Sequence, residues 1–270
     1  MSKLLVKPLG RQGRVSHVTP QSAGWTYVGF ELHRLKPGET VAAETGERET
    51  CLVLVAGKAT IAAGGKQLGR LGERMSPFEG KPWSVYVPQG SDWSVTAETE
   101  VELAVCTAPG RGGGLPPRVI DPDGLSQEVR GKGTNTRHVT NILPESQPAD
   151  SLLVVEVITP GGHTSSYPPH KHDQDNLPAE SYLEETYYHR LNPPQGFAFQ
   201  RVYTDIGADG RRELDETMAV EDGDVVLVPK GYHPCAACHG YDLYYLNVMA
   251  GPKRTWKFHN AEEHAWMLKR

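Results

Sequence analysis

The 270-residue chain has little cysteine, no long apolar run and no basic block, and each shortage removes a class of protein. Four cysteines (Cys51, Cys106, Cys235, Cys238) are too few to staple a chain of this length, which excludes a disulfide scaffold. No stretch approaches the roughly 20 unbroken apolar residues of a membrane-spanning helix, so no membrane partner is expected. The opening Met1-Ser-Lys-Leu-Leu-Val-Lys-Pro8 has only Leu4-Leu5-Val6 between its lysines, unlike a secretory leader, and a cytoplasmic location is expected. With 28 Lys and Arg against 33 Asp and Glu, the formal net charge is −5, and no nucleic acid is expected as a partner. Amphipathic helices are scarce too, residues 260–269 being the one short stretch with a helical look.

What the chain does have is punctuation. Its 29 glycines and 21 prolines bound short runs such as Cys51-Leu-Val-Leu-Val55, Ser84-Val-Tyr-Val87, Leu152-Leu-Val-Val-Glu-Val-Ile158 and Asp224-Val-Val-Leu-Val228, which read as strands. The fold class is therefore all-β, a sandwich or barrel. Two landmarks recur in the same order. Phe30-Glu-Leu-His-Arg-Leu-Lys-Pro-Gly-Glu-Thr40 resembles Val154-Val-Glu-Val-Ile-Thr-Pro-Gly-Gly-His-Thr164, and Val85-Tyr-Val-Pro-Gln-Gly90 resembles Val226-Leu-Val-Pro-Lys-Gly231. Two copies of one β-unit explain this, with loop-like stretches at Gly110-Arg-Gly-Gly-Gly-Leu-Pro-Pro117 and Arg130-Gly-Lys-Gly-Thr-Asn135 between them. The chain divides into a first half, 1–125, and a second half, 126–270.

The chemistry gathers in the second half, in Pro168-Pro-His-Lys-His172, Leu183-Glu-Glu-Thr-Tyr-Tyr-His189 and Pro229-Lys-Gly-Tyr-His233. Alternate residues of a strand face one side, so His170 and His172 would present two imidazoles to one interior, the prolines before them stiffening the approach. A lone His-x-His is more often a surface pair. Here a glutamate and a later Pro-x-Gly-x-His accompany it, and imidazole with carboxylate suits Zn, Mn, Fe, Co or Ni. Other features read more plainly. Cys235-Ala-Ala-Cys238 lacks a second pair and a thioredoxin-like setting, so both thiols belong in or beside the strand after His233. No Gly-Lys-Ser/Thr follows Gly112-Gly-Gly114, which is a linker rather than a phosphate loop. Trp256, Phe258 and Trp266 read as a docking tail over a sheet edge, and Lys58, Lys66 and Arg70 as solvated charges on hairpins.

Residues 162–185 resemble the first motif of the cupins, a glycine, His-x-His and a glutamate. Gly223-Asp-Val-Val-Leu-Val-Pro229-Lys-Gly231-Tyr-His233 resembles the second. The segment from Asp173 to Tyr182 is longer than the usual gap before the glutamate, which leaves Glu184 and Glu185 as alternatives. The family's aromatic two residues after the ligand favours Glu185, with Tyr187 in that place, and alternation turns Tyr187 and His189 inward with it. The implied ligands are His170, His172, Glu185 and His233, holding one divalent metal ion per chain, Zn, Mn or Fe. The first half has the cupin outline without the ligands: Ser91-Asp-Trp93 follows Pro88-Gln-Gly90, and residues 39–49 hold no His-x-His. The implied architecture is a bicupin, two jelly-roll (double-stranded β-helix) barrels in one chain.

Nearly the full length also resembles the 5-deoxy-glucuronate isomerases of myo-inositol catabolism, which are similar to the 4-deoxy-5-keto-uronate isomerases of pectin breakdown. The residues that carry this are Gly131-Lys-Gly-Thr-Asn-Thr-Arg-His-Val139, Pro168-Pro-His-Lys-His-Asp173, Glu184-Glu-Thr-Tyr-Tyr-His189, Asp215-Glu-Thr-Met218 and Tyr244-Tyr-Leu-Asn-Val-Met-Ala-Gly-Pro252. The resemblance implies an aldose–ketose isomerase that converts 5-deoxy-D-glucuronate to 5-dehydro-2-deoxy-D-gluconate through a metal-stabilised enediolate. Glu185, Tyr187 and His189 are the candidates for moving the proton. The carboxylate of the sugar acid wants a cation, for which Arg137, Arg190, Arg201 and Lys253 are available. Arg201 ranks first, because Phe197, Phe199, Arg201 and Tyr203 share one strand face; Arg201, Tyr203 and Lys253 are thus the expected substrate-binding residues. The rivals are a cupin Fe(II) dioxygenase, which would need O₂, and a non-catalytic sugar-binding cupin. Exposed edges in a two-unit β-protein point to a homo-oligomer, a dimer first.

Overall fold

The computed structural model describes residues 2–269 and consists of two β-barrels built to the same plan. In the first, an antiparallel six-stranded sheet runs in the order Arg118–Ile120, Ser84–Val87, Arg48–Ala56, Val101–Pro109, Gly29–Leu35, Gly13–Val18. Opposite it lie four strands, Thr40–Glu44, Asp92–Ala97, Ala59–Ala63 and Lys66–Leu71. The second barrel has a seven-stranded sheet ordered Leu5–Val6, Val225–Val228, Glu184–Asn192, Asp242–Ala250, Leu153–Thr159, Arg137–Leu143, Ser126–Arg130. Its facing sheet is Thr164–Ser165, Cys235–Ala237, Phe197–Tyr203 and Asp215–Glu221. Two all-β units of jelly-roll type are therefore present, as the repeat implies.

The strands that read as unbroken apolar runs do so because both of their faces are covered. In Arg48–Ala56, Leu52 and Leu54 fill the first barrel, while Cys51, Val53 and Val55 face the other half. In Asp242–Ala250, Leu243, Tyr245 and Met249 fill the second barrel, and Tyr244, Leu246 and Val248 face the first half. The two large sheets thus pack back to back across a third core, in which Phe30, Leu32, Val53 and Tyr86 meet Tyr188, Tyr244 and Leu246. A buried ion pair crosses it: Arg74 Nη1 and Nη2 donate to the Glu156 carboxylate at 3.0 and 2.8 Å, and Tyr244 Oη donates to the same group at 3.0 Å.

Residues 118–120 close the first large sheet and residues 126–130 close the second, so the chain passes between barrels in the few residues around Leu125. One segment crosses back. Leu5–Val6 pairs with Val225 and Val226 of the second sheet, which ties the start of the chain to the far barrel. Residues 260–269, with the helical look, form a 3₁₀ helix over Glu262–Lys269, preceded by a two-residue strand, His259–Asn260, that pairs with His170–Lys171. A one-turn helix at Pro20–Ala23 has no counterpart in the sequence reading; a capping box between Thr19 and Ser22 holds it. Among the described residues, no helix is long and apolar enough to cross a membrane.

Candidate metal centre

The strand Glu184–Asn192 lies centrally in the second large sheet, between Val225–Val228 and Asp242–Ala250. Alternation decides what its side chains meet. Tyr187 belongs to the barrel interior with Glu185 and His189, while Tyr188 stacks on Phe30 of the other half at 5.8 Å. Glu184 also faces the other half, where it accepts the backbone N–H groups of Thr26, Tyr27 and Val28 at 2.6, 2.6 and 3.0 Å. Of the two glutamates left open by the sequence, Glu185 is the one that looks into the barrel.

Two local devices bring the histidines to it. Residues 173–182, longer than a typical cupin gap, fold outward as a hairpin of Asp173–Asn176 and Glu180–Tyr182. Its return sets Leu183 against His172, with Leu183 N–H donating to His172 O at 2.9 Å and His172 Nδ1 bonded to Leu183 O at 3.0 Å. On the neighbouring strand Val228 lies opposite Glu185. The turn that follows needs Gly231, whose φ is +87° and where a Cβ would stand 2.4 Å from Tyr203 O. Beyond it, His233 Nδ1 bonds Gly231 O at 2.8 Å.

A carbonyl can only accept, so Nδ1 carries an N–H in both histidines, and Nε2 is the atom each ring turns toward the glutamate. The two Nε2 atoms converge on one oxygen: His172 Nε2 bonds Glu185 Oε2 at 3.1 Å, and His233 Nε2 stands 3.3 Å from it. All three side chains are buried, and His233 Nε2 has no hydrogen-bond partner. A buried imidazole nitrogen left unmatched beside a carboxylate and a second imidazole is a poor arrangement for a structural network and a good one for a cation, which all three could ligate. This is the one group of three such ligands found among the described residues. Burial works against charge on His172, but the Glu185 contact outweighs it and holds the pKa above the ordinary value. Burial outweighs the Glu185 charge at His233 and, with His172, pushes its pKa down to about 4. Burial, followed by the nearby His233 and His172, holds His170 well below its usual range.

His170 borders this set rather than joining its tight cluster. Its ring is 4.9 Å from that of His233, 6.4 Å from that of His172 and 4.7 Å from Phe258. It also lines a cavity of about 880 Å³ with Arg130, Lys132, Arg137, Phe258 and Trp266. Tyr187 bonds Ser166 Oγ at 3.0 Å, and burial, then the Glu185 charge, raises its pKa far enough to keep it protonated. His189 Nε2 meets Gln200 Oε1 at 2.9 Å; burial lowers its pKa to about 4, and its Nδ1 is buried without a partner.

The residues expected to hold the substrate carboxylate lie elsewhere. In Phe197–Tyr203 the inward residues are Ala198, Gln200 and Val202, so Phe197, Phe199 and Arg201 face outward. Arg201 is already engaged with Asp215 through Nε and Nη2, at 2.8 and 2.7 Å. Tyr203 is buried against Tyr232 and Ala261, and Lys253 is an exposed side chain 3.1 Å from Asp175. Arg190 is paired with Glu102 and Asp222. Arg137 alone of the four lines the cavity beside His170. Gln200, the partner of His189, went unremarked in the sequence; its place between two inward apolar residues was the signal. Trp266 and Phe258 form part of the cavity wall rather than only covering an edge. The cysteines fall where expected, all free, with Cys235 buried at the start of Cys235–Ala237.

The KduI/IolB family profile matches residues 4–267. A 5-deoxy-glucuronate isomerase of Geobacillus kaustophilus is 58% identical over 271 residues, covering 99% of this chain and 96% of that protein. One of Bacillus licheniformis is 50% identical over the full length of both. Among solved structures, an IolB-like protein of Salmonella typhimurium superposes with a TM-score of 0.94 at 57% identity, covering 98% of this chain and 99% of that one. Oxalate decarboxylase of Bacillus subtilis matches at a TM-score of 0.64 and 14% identity over 96% of this chain and 80% of that one, which shows a shared fold, in keeping with a bicupin.

Proposed function

The chain belongs to the KduI/IolB family and is an isomerase, and from that premise we propose that it interconverts 5-deoxy-D-glucuronate and 5-dehydro-2-deoxy-D-gluconate at the second barrel, with a divalent metal ion. The observation that carries this reading is the convergence of His172 Nε2 and His233 Nε2 on Glu185 Oε2. These three residues would hold the ion, with His170 beside them as the fourth donor. When bound, it supplies Lewis acidity that offsets negative charge developing on the carbonyl and hydroxyl oxygens of an open-chain sugar acid.

The protein's own groups do the rest. Both histidine contacts go to Glu185 Oε2, which leaves Oε1 to take a proton from one carbon and return it to the next. Tyr187, kept protonated, is a donor rather than a base. His189 is neutral near pH 7 and is held by Gln200, so it is a second acceptor on the same inward face. Phe258 and Trp266 give the cavity an apolar wall beside His170.

Metal analysis with an anaerobic turnover assay on 5-deoxy-D-glucuronate tests this reading. The expected result is about one ion per chain and turnover without oxygen, both lost in His172→Ala. Turnover that requires O₂, or none in a fully metallated protein, would overturn it.

A further inference from the structure

We propose that Arg137 binds the carboxylate of the sugar acid through its Nε and Nη2 edge and so sets the preference for an acid over a neutral sugar; this rests on the function proposed above. Arg137 opens the strand Arg137–Leu143, two residues before Val139, which belongs to the core of the second barrel. Alternation therefore gives Arg137 the inward face of the sheet, at the barrel mouth, and it lines the same cavity as His170.

Its hydrogen bonds are one-sided. Nη1 donates to Asn135 O and Asn135 Oδ1 at 3.0 and 3.2 Å, while Nε and Nη2 have no acceptor among the described residues. Those two N–H groups form the parallel fork that fits a carboxylate. No ion pair with a carboxylate reaches Arg137 either, in contrast to Arg190, Arg201 and Lys253. Its cross-strand partner is instead another arginine, Arg130, whose guanidinium is turned to Glu128 and Trp256. Like charges directly opposite each other destabilise a sheet. A half-buried guanidinium in that position, with Lys132 on the same cavity wall, is matched by an anion that arrives with the substrate.

The surrounding loop holds the fork in place. Gly131 has φ +80°, and a Cβ there would stand 2.0 Å from Asn135 O and 2.7 Å from Arg137 Nη1. Asn135 holds Arg137 with one side-chain atom, and with the other, Nδ2, donates to Tyr167 O at 2.8 Å, three residues before His170. Asn135 is thus a positioning residue, tying the guanidinium to the segment that carries His170. This accounts for the stretch Gly131-Lys-Gly-Thr-Asn-Thr-Arg137, which the metal centre itself leaves unexplained.

Calorimetric titration with D-gluconate and D-glucitol, which differ only in carboxylate against hydroxymethyl, tests Arg137 without turnover. Wild type is expected to bind gluconate about 10- to 100-fold more tightly, the factor expected of hydrogen bonds to a charged group. Arg137→Gln is expected to abolish the difference with metal content unchanged, and Arg137→Lys, which keeps the charge but not the fork, to retain part of it. In turnover, KM for the deoxyuronate is expected to rise more than kcat falls. If Arg137→Gln or Arg137→Lys still discriminates as wild type does, or if wild type does not discriminate, the assignment is overturned. Failure of wild type to isomerise the deoxyuronate overturns the proposed function instead.

Discussion

Superposed by strand register, the two barrels share a frame and differ in what fills it. Thr50 lies opposite Val87 just as Glu185 lies opposite Val228, and both valines open a Val-Pro-x-Gly turn. Counting from that pair, Glu49 corresponds to Glu184, Thr50 to Glu185, Leu52 to Tyr187 and Leu54 to His189. Two residues past the turn glycine, Asp92 corresponds to His233. The first barrel replaces every inward polar group on the central strand by Leu or Thr and fills the space with Trp93, Val95 and Leu103. Its path from Pro37-Gly38 to Glu49 is also shorter, with no room for the hairpin that delivers His172.

What the halves keep in common is the glutamate that does not face a barrel. Glu49 accepts the N–H groups of Asp150, Ser151 and Leu152 at 2.5–2.7 Å, and Glu184 those of Thr26, Tyr27 and Val28. Each carboxylate caps the segment leading into the other half's equivalent strand, Leu153–Thr159 or Gly29–Leu35. The interface is thus clamped twice, by a pseudo-symmetric exchange. Both halves keep the clamp, while the inward cluster of His172, Glu185 and His233 is found in the second.

The sharpest way to break this comparison is to separate neighbouring glutamates. Glu185→Gln is expected to lower turnover by about 10²- to 10⁴-fold, the range for a general base, and to weaken metal binding, with little change in unfolding. Glu184→Ala and Glu49→Ala should do the reverse. Glu184→Ala takes the acceptor from the buried Val28 N–H and the more exposed Thr26 and Tyr27 N–H groups and is expected to cost about 2 kcal/mol in urea denaturation. Glu49→Ala, which strands the buried Ser151 and Leu152 N–H groups and the Tyr86 hydroxyl, is expected to cost about 4 kcal/mol, metal per folded chain being kept in both. If Glu184→Ala strips the metal and Glu185→Gln keeps it, the assignment of the two faces is wrong.

A smaller effect tests the difference between the barrel interiors through pH. His189 has a pKa lowered to about 4 by burial, against about 6.5 when unfolded. Between those values the unfolded chain binds one more proton than the native one, so stability falls as pH drops from 6.5 toward 4 and is unaffected above 6.5. The full loss is about 3 kcal/mol. His189→Phe, which makes this position apolar like Leu54 of the first barrel, should flatten the pH slope of the urea midpoint by about one proton relative to wild type. An unchanged slope would mean that His189 does not titrate with unfolding.

The strands, the repeat and the histidine spacing were legible because local pattern carries them: apolar runs between Gly and Pro, Pro-Gly twice, His-x-His. The clamp was present in the sequence as Glu49 and Glu184, but seeing it requires the strand register that pairs Thr50 with Val87. Ranking the cations was beyond the sequence, since what separates Arg137 from Arg190, Arg201 and Lys253 is a carboxylate neighbour from a distant segment. The faces of Phe197–Tyr203 ran against the usual rule. The barrel interior there takes the small Ala198 and the hydrogen-bonding Gln200, and the two phenylalanines are left outside.

That inversion yields the smallest effect and the clearest contrast with Arg137. Arg201 and Asp215 are about 40% exposed, and their pairing is a surface ion pair on the outer face. Such a pair contributes at most about 1 kcal/mol. Arg201→Ala is expected to shift the urea midpoint by no more than that and to leave KM for the deoxyuronate, and the preference for gluconate over glucitol, at wild-type values. Loss of that preference in Arg201→Ala would return the anion site to the outer face. Both arginines lie on strands of the second barrel, and side-chain direction separates them: one guanidinium already has its carboxylate, and the other faces the cavity with its fork open.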